Sequence, residues 1–112
     1  MPRTAFAAVN SSKAGTLLPT ETNGDAVNFN EVPNAGNTII LVRNNHATNA
    51  YNFVLHVRKQ IDGIEVPDRV ISVAAQAQYV VGPFDRETYG DTLWIDVNAA
   101  DIKLRAINVV IP

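Results

Sequence analysis

Two histidines, His46 and His56, are the first residues to test for chemistry, because imidazole exchanges protons near neutrality and is the commonest metal ligand. His46 lies in the asparagine-rich stretch Asn44-Asn45-His46-Ala47-Thr48-Asn49, and His56 falls on the polar side of an alternating segment. Metal sites of this kind ask for three or four ligands, and two imidazoles on neighbouring segments bring no third. Carboxylates are more numerous: Asp91, Asp96 and Asp101 are evenly spaced, with Asp85 and Glu87 just upstream. A calcium loop gathers its oxygen ligands within ~12 residues around a glycine, and this spacing does not match. The acids are therefore expected on loops and outer faces, in water.

Nucleophiles are equally sparse. Ser11, Ser12 and Ser72 are the only serines, and none sits in a G-x-S-x-G elbow. With zero cysteines there is no disulfide, thiolate metal site or cysteine nucleophile. The six glycines stand singly, so no glycine-rich loop cradles a phosphate. From these residues the chain is expected not to be an enzyme, and to take no cofactor and no metal. The aromatics leave one question open. Trp94, Tyr79 and Tyr89 could stack on sugars if their rings are exposed. Should Leu93, Ile95 and Val97 face inward, Trp94 faces out, which implies an interface or a covered second face. A bulge that slips the register by one residue would bury it instead.

The elements that must position these groups read as short strands. Tyr51, Phe53, Leu55 and Val57 alternate with Asn52, His56 and Arg58, Val54 being the exception; period 2 marks a strand with one buried face. Thr38-Ile39-Ile40-Leu41-Val42 is a compact β-branched run introduced by the turn formers Pro33-Asn34-Ala35-Gly36. Asp62-Gly63 between Ile61 and Ile64 predicts a tight hairpin, and Pro67 then predicts an edge or a bulge. Further strands are expected at Arg69–Val73, at Gln78–Val81 up to Gly82-Pro83, at Leu93–Val97, and from Ile102 through Ile111. One helical turn is expected in Phe84–Tyr89, stopped by Gly90. The asparagines, among them Asn10, Asn23, Asn28, Asn30, Asn34, Asn37, Asn44, Asn45 and Asn49, read as turn formers.

Six to eight short strands with turns every ~8–12 residues predict an all-β chain. The expected form is a single antiparallel β-sandwich, Ig-like or jelly-roll-like, over 25–112, preceded by an extended N-terminal arm over 1–24. Residues 10–24 are poor in large apolar groups and rich in Ser, Thr, Gly and Asn, which is why they read as arm or loop. The remaining bounds agree. A chain of 112 residues suits one domain. No apolar run approaches the ~18 residues of a membrane helix. A formal charge of −2 argues against a nucleic-acid partner, which would call for a basic face. The opening residues turn polar too soon for a secretory signal, so export is not expected and Asn10-Ser11-Ser12 is discounted as a glycosylation site.

Met1-Pro2-Arg3-Thr4, Val32-Pro33-Asn34-Ala35-Gly36-Asn37-Thr38, Val73-Ala74-Ala75 leading to Val81-Gly82-Pro83-Phe84, and Leu104-Arg105-Ala106 resemble a group of small virion proteins of tailed actinobacteriophages, encoded near the structural genes. The similarity spans nearly the whole chain. It implies a small β-sandwich on the particle: a head decoration protein that stabilises the capsid shell, assembled in the host cytoplasm. The implied partners are the major capsid protein and neighbouring copies of the chain, with no nucleic acid and no membrane. Where related proteins often have Ala-Gly before the Gly-Pro-Phe strand, this chain has Ala74-Ala75-Gln76, so a different turn is expected. No catalytic residue carries over. The residues expected at the interface are Arg3, Phe6, Leu17 and Leu18 of the arm, with Tyr89 and Trp94 of the domain. The alternative is a tail or baseplate module that binds host cell-wall glycan through Trp94 and Tyr89.

Overall fold

In a computed structural model, which describes residues 3–110, the alternation in the sequence becomes strands. The N-terminal segment forms β1 (Thr4–Ala5), β2 (Ala8–Asn10) and, after a long loop, β3 (Thr22–Asn23). Next come β4 (Asn30–Pro33), β5 (Thr38–Asn44) and β6 (Tyr51–Leu55). A small hairpin of β7 (Gln60–Ile61) and β8 (Ile64–Glu65) precedes β9 (Arg69–Val73) and β10 (Gln78–Val81). One helical turn, α1 (Arg86–Tyr89), leads to β11 (Thr92–Val97) and β12 (Ile102–Asn108).

Two sheets result. The first runs β1-β4-β11-β6-β9 and the second β10-β5-β12-β2, with β3 also paired to β12. From β4 to β12 the chain changes sheet at every step except β6 to β9. Inward residues of both layers therefore meet in one core: Val32, Phe53, Leu55, Val73, Leu93, Ile95 and Val97 from the first, Ile40, Val42, Ile102, Leu104 and Ala106 from the second. A shortest extent of 24 Å fits two layers about 10 Å apart with side chains outside each. The strict alternation along β5, β11 and β12 shows what drives the pairing, since a one-residue slip would turn each apolar set outward.

Local chemistry sets the connections. Asp62 and Gly63 both adopt positive φ, 52° and 77°, the type I′ arrangement that matches hairpin twist. Asp85 caps α1 by accepting from the Thr88 amide, and Gly90, at φ 86°, ends it. The turn after β9 is built around Gln76. Gln76 takes φ 64°, and its side-chain amide donates to the carbonyls of Asn45 and His46 at 3.2 and 3.0 Å.

Three expectations change. The sheets are mixed rather than purely antiparallel, because β1 runs parallel to β4 and β2 parallel to β12. Strands that arrive through long connections are not held to hairpin direction. Strand β12 ends at Asn108, not at Ile111, because its partner β5 begins opposite it at Thr38; Ile111 itself lies outside the described residues. Within 1–24, residues 4–5 and 8–10 belong to the two sheets, and Phe6 between them is buried in the core. This segment closes one side of the sandwich by crossing from sheet to sheet. What stays outside is the loop 11–21.

Candidate functional site

Strand parity puts Trp94 on the outer face of the first sheet, as the inward set of Leu93, Ile95 and Val97 requires. The ring is not free there. The Arg58 guanidinium lies over it, 4.0 Å from the centroid, and Arg3 approaches at 5.2 Å. His56 meets it edge-on at 6.3 Å. Each cation is attracted to the negative face of the indole, and together they half-bury it.

His56 and Arg3 extend this cluster into a chain of polar contacts. His56 Nε2 is 2.7 Å from Asp96 Oδ2, and Nδ1 is 3.1 Å from Asp68 Oδ2. Asp96 Oδ1 in turn accepts from Arg3 Nη1 at 2.8 Å. That same Nη1 reaches the Asn30 and Ile95 carbonyls at 3.2 and 3.3 Å. The arrangement ties the N-terminal segment, β4, β6, β11 and the approach to β9 together. Asp68 and Asp96 flank opposite nitrogens of one ring, so the three groups radiate from the imidazole instead of converging on a point. Among the described residues no three His, Asp or Glu side chains are placed to hold a metal ion. An open cleft of about 370 Å³ lies beside the cluster, under the β7–β8 hairpin.

The remaining candidates are dispersed. His46 Nδ1 accepts from the Thr48 and Asn49 amides, and its ring packs edge-on against Tyr51. Asp85 caps α1 and Glu87 pairs with Lys59 at 3.0 Å. The Thr88 hydroxyl and amide hold the Asp85 carboxyl below its ordinary range. Asp25, not singled out from the sequence, is lowered likewise, first by the Thr4 hydroxyl and then by the Asn28 and Val27 amides. Ser11 accepts from the Val110 amide, and Ser12 closes a turn onto Gly15.

Of the residues expected at an interface, two lie inside. Phe6 and Tyr89 are buried in the core, Tyr89 packed edge-on against Phe84. Phe6 must be there to fill the side where β1 crosses to β2, and Tyr89 because α1 turns it inward. Arg3 turns its Nη1 to acceptors within the chain. Leu17 and Leu18 are outside, 91% and 57% exposed.

Their loop is held at both ends by one strand. β2 pairs with β12 at Ala106–Asn108 and β3 pairs with it at Lys103–Leu104, so the chain leaves and rejoins the same edge. At the base, Glu21 takes two hydrogen bonds from Arg43, at 2.9 and 2.7 Å, which hold its carboxyl below its ordinary range. Its other neighbour, Arg105, stands 4.0 Å away. At the start, Ser11 N donates to Asn108 O, and the Ser12–Gly15 turn follows. Position 21 gave no signal in the sequence, since a lone glutamate in a polar stretch reads as solvated.

Fold and geometry together define a mixed β-sandwich whose polar clusters fasten strands and whose anchored loop 11–21 carries the exposed Leu17 and Leu18. Comparison of the chain with protein-family models, curated proteins and solved structures finds no match.

Proposed function

We propose that the chain is a structural protein of a tailed-phage particle, a decoration protein that seats on the outside of the head and stabilises it through protein–protein contacts. The observation that carries this reading is the anchored loop 11–21, which presents Leu17 and Leu18 to solvent from a fixed base. Two adjacent leucines in water are costly to leave uncovered and suit insertion into a pocket of a partner. Fixing both ends of the loop lowers the entropy lost on docking. On a symmetric shell many copies bind at once, so each contact can be modest. A protein that binds the assembled head, and not free subunits, stabilises the head by mass action. The glycan reading needs open aromatic platforms, whereas Tyr89 is in the core and Arg58 covers Trp94.

Cosedimentation with expanded, undecorated heads tests the proposal. The wild-type chain is expected to bind, and the double variant Leu17→Ser, Leu18→Ser to lose roughly 2 kcal/mol, or about thirtyfold in affinity, with an unchanged circular-dichroism spectrum. Equal binding by the variant removes the loop from the mechanism, and no binding by either chain removes the head as partner.

A further inference from the structure

The outer face of the second sheet carries more positive charge than its surroundings neutralise. Register sets Arg43 of β5 opposite Lys103 of β12, and Leu41 opposite Arg105. All four point outward, because Ile40, Val42, Ile102 and Leu104 point in. Like charges directly opposite each other on a sheet repel. Among the described residues Glu21 is the one carboxylate paired with them, shared between Arg43 and the more distant Arg105. Among the described residues Lys103 Nζ meets only neutral acceptors, Asn23 Oδ1 at 2.7 Å and the Ala100 carbonyl at 3.0 Å. Arg105 Nε is buried with no acceptor among the described residues. Three cations against one carboxylate leave this face positive on a chain of formal charge −2. Exposed Val80 of β10 stands opposite Leu41 and continues the face with apolar surface.

The complementary surface is the hairpin β7–β8. Ile61 and Ile64 form a cross-strand pair that is 59% and 71% exposed. Residues 60–68 contain Asp62, Glu65 and Asp68 and no lysine or arginine. Asp68 is engaged by His56, while among the described residues neither Asp62 nor Glu65 has an ion-pair partner. The hairpin interrupts β6 and β9 of the first sheet, and Gln60 and Glu65 line the same cleft as His56 and Trp94. It therefore belongs to the layer opposite the basic face, and the two cannot meet within one chain.

We propose that the hairpin β7–β8 of one copy docks on the outer face of the second sheet of the next copy. Ile61 and Ile64 cover Leu41 and Val80, and the Asp62 and Glu65 carboxylates approach Lys103 and Arg105. The contact is heterologous: every copy offers one hairpin and one face, so association continues past the dimer. It concerns the chain with itself and is tested without any shell, so its failure is distinct from failure of the head-binding reading.

Sedimentation velocity over a concentration series at low salt provides the test. The wild-type chain is expected to grow in mass beyond a dimer, and added salt to reverse this. Lys103→Glu removes the face, and Ile61→Ser with Ile64→Ser removes the hairpin; each is expected to weaken self-association by roughly tenfold or more. Both hairpin positions are exposed, so that variant keeps its fold, and circular dichroism checks the other. Mixing the two variants restores one intact junction and is expected to give a complex of one copy of each that grows no further. A wild-type chain that stays monomeric, an assembly that stops at a symmetric dimer, variants that associate like the wild type, or a mixture that remains monomeric would each overturn the proposal.

Discussion

Asn44 shows how a single amide can hold the end of a strand. Its Nδ2 donates to the Asn49 and Val73 carbonyls at 2.8 and 2.9 Å, and its Oδ1 accepts from the His46 amide at 2.9 Å. The side chain is fully buried, and its bond to the Val73 carbonyl is out of reach of water. Asn44→Ala leaves two carbonyls and an amide unpartnered and is expected to cost on the order of 2–3 kcal/mol in urea denaturation. A loss below about 0.5 kcal/mol would mean that water satisfies these groups. Asn30 and Asn34, also buried, accept from the Asp25 and Gly36 amides. The sequence reads all three as turn formers because they lie among turn residues. The signal that distinguishes Asn44 is parity: it continues the inward series Thr38, Ile40, Val42. The same parity placed Trp94 correctly outward. Its cover of Arg58 and Arg3 was not legible, since both arrive from segments distant in sequence.

Among the elements, those with a period, a β-branched run or turn chemistry were legible, and the shortest strands without any of these were not. β5, β6, β11 and β12 alternate over five to seven residues, and the Asp62-Gly63 hairpin and the Asp85 cap carry their own turn chemistry. β1, β2 and β3 are two or three residues long, too short to show any period. A segment poor in large apolar groups accordingly reads as an arm, although Phe6 fills the core and Thr4 and Phe6 donate to Phe29 and Glu31 carbonyls. Gly24 ends the same segment under tight constraint: a Cβ there would stand 2.7 Å from Val97 Cγ2 and 2.9 Å from the Ile102 carbonyl. Removing residues 1–10 should therefore destabilise the fold, and not merely trim it. The loss of Phe6 alone corresponds to about 3 kcal/mol, with the β1 and β2 ladders in addition. The loop substitutions Leu17→Ser and Leu18→Ser, which touch no core, are expected to stay within ~0.5 kcal/mol. Urea midpoints of the two kinds of variant decide the point; a truncated chain as stable as the full one would return these residues to the status of an arm.

For the molecule as a whole, the carboxylates held below their ordinary range among the described residues are Glu21, Asp25 and Asp85, and all three tether connections rather than the core. Glu21 pins the exposed loop to Arg43, Asp25 joins the N-terminal segment to the 25–29 turn through Thr4, and Asp85 caps α1. In each the folded state holds the carboxyl below its ordinary value, 4.5 for Glu21 and 3.8 for the two aspartates. The unfolded chain thus binds more protons across that interval, and the sign follows: stability rises with pH there. Above the ordinary values the contribution is complete, and it disappears as pH falls through the depressed folded values. Acid should therefore loosen the loop, the N-terminal closure and α1 while the apolar core between the sheets remains. Hydrogen exchange below pH 4.5 is expected to show faster exchange at Val27, Asn28 and Thr88, whose amides bond to these carboxylates, than at the core strands β5 and β12. Glu21→Gln should flatten the acid limb of the stability curve, because it removes one of the three titrations. A stability that stays level or climbs as the pH is lowered through this range would contradict the assignment of these tethers.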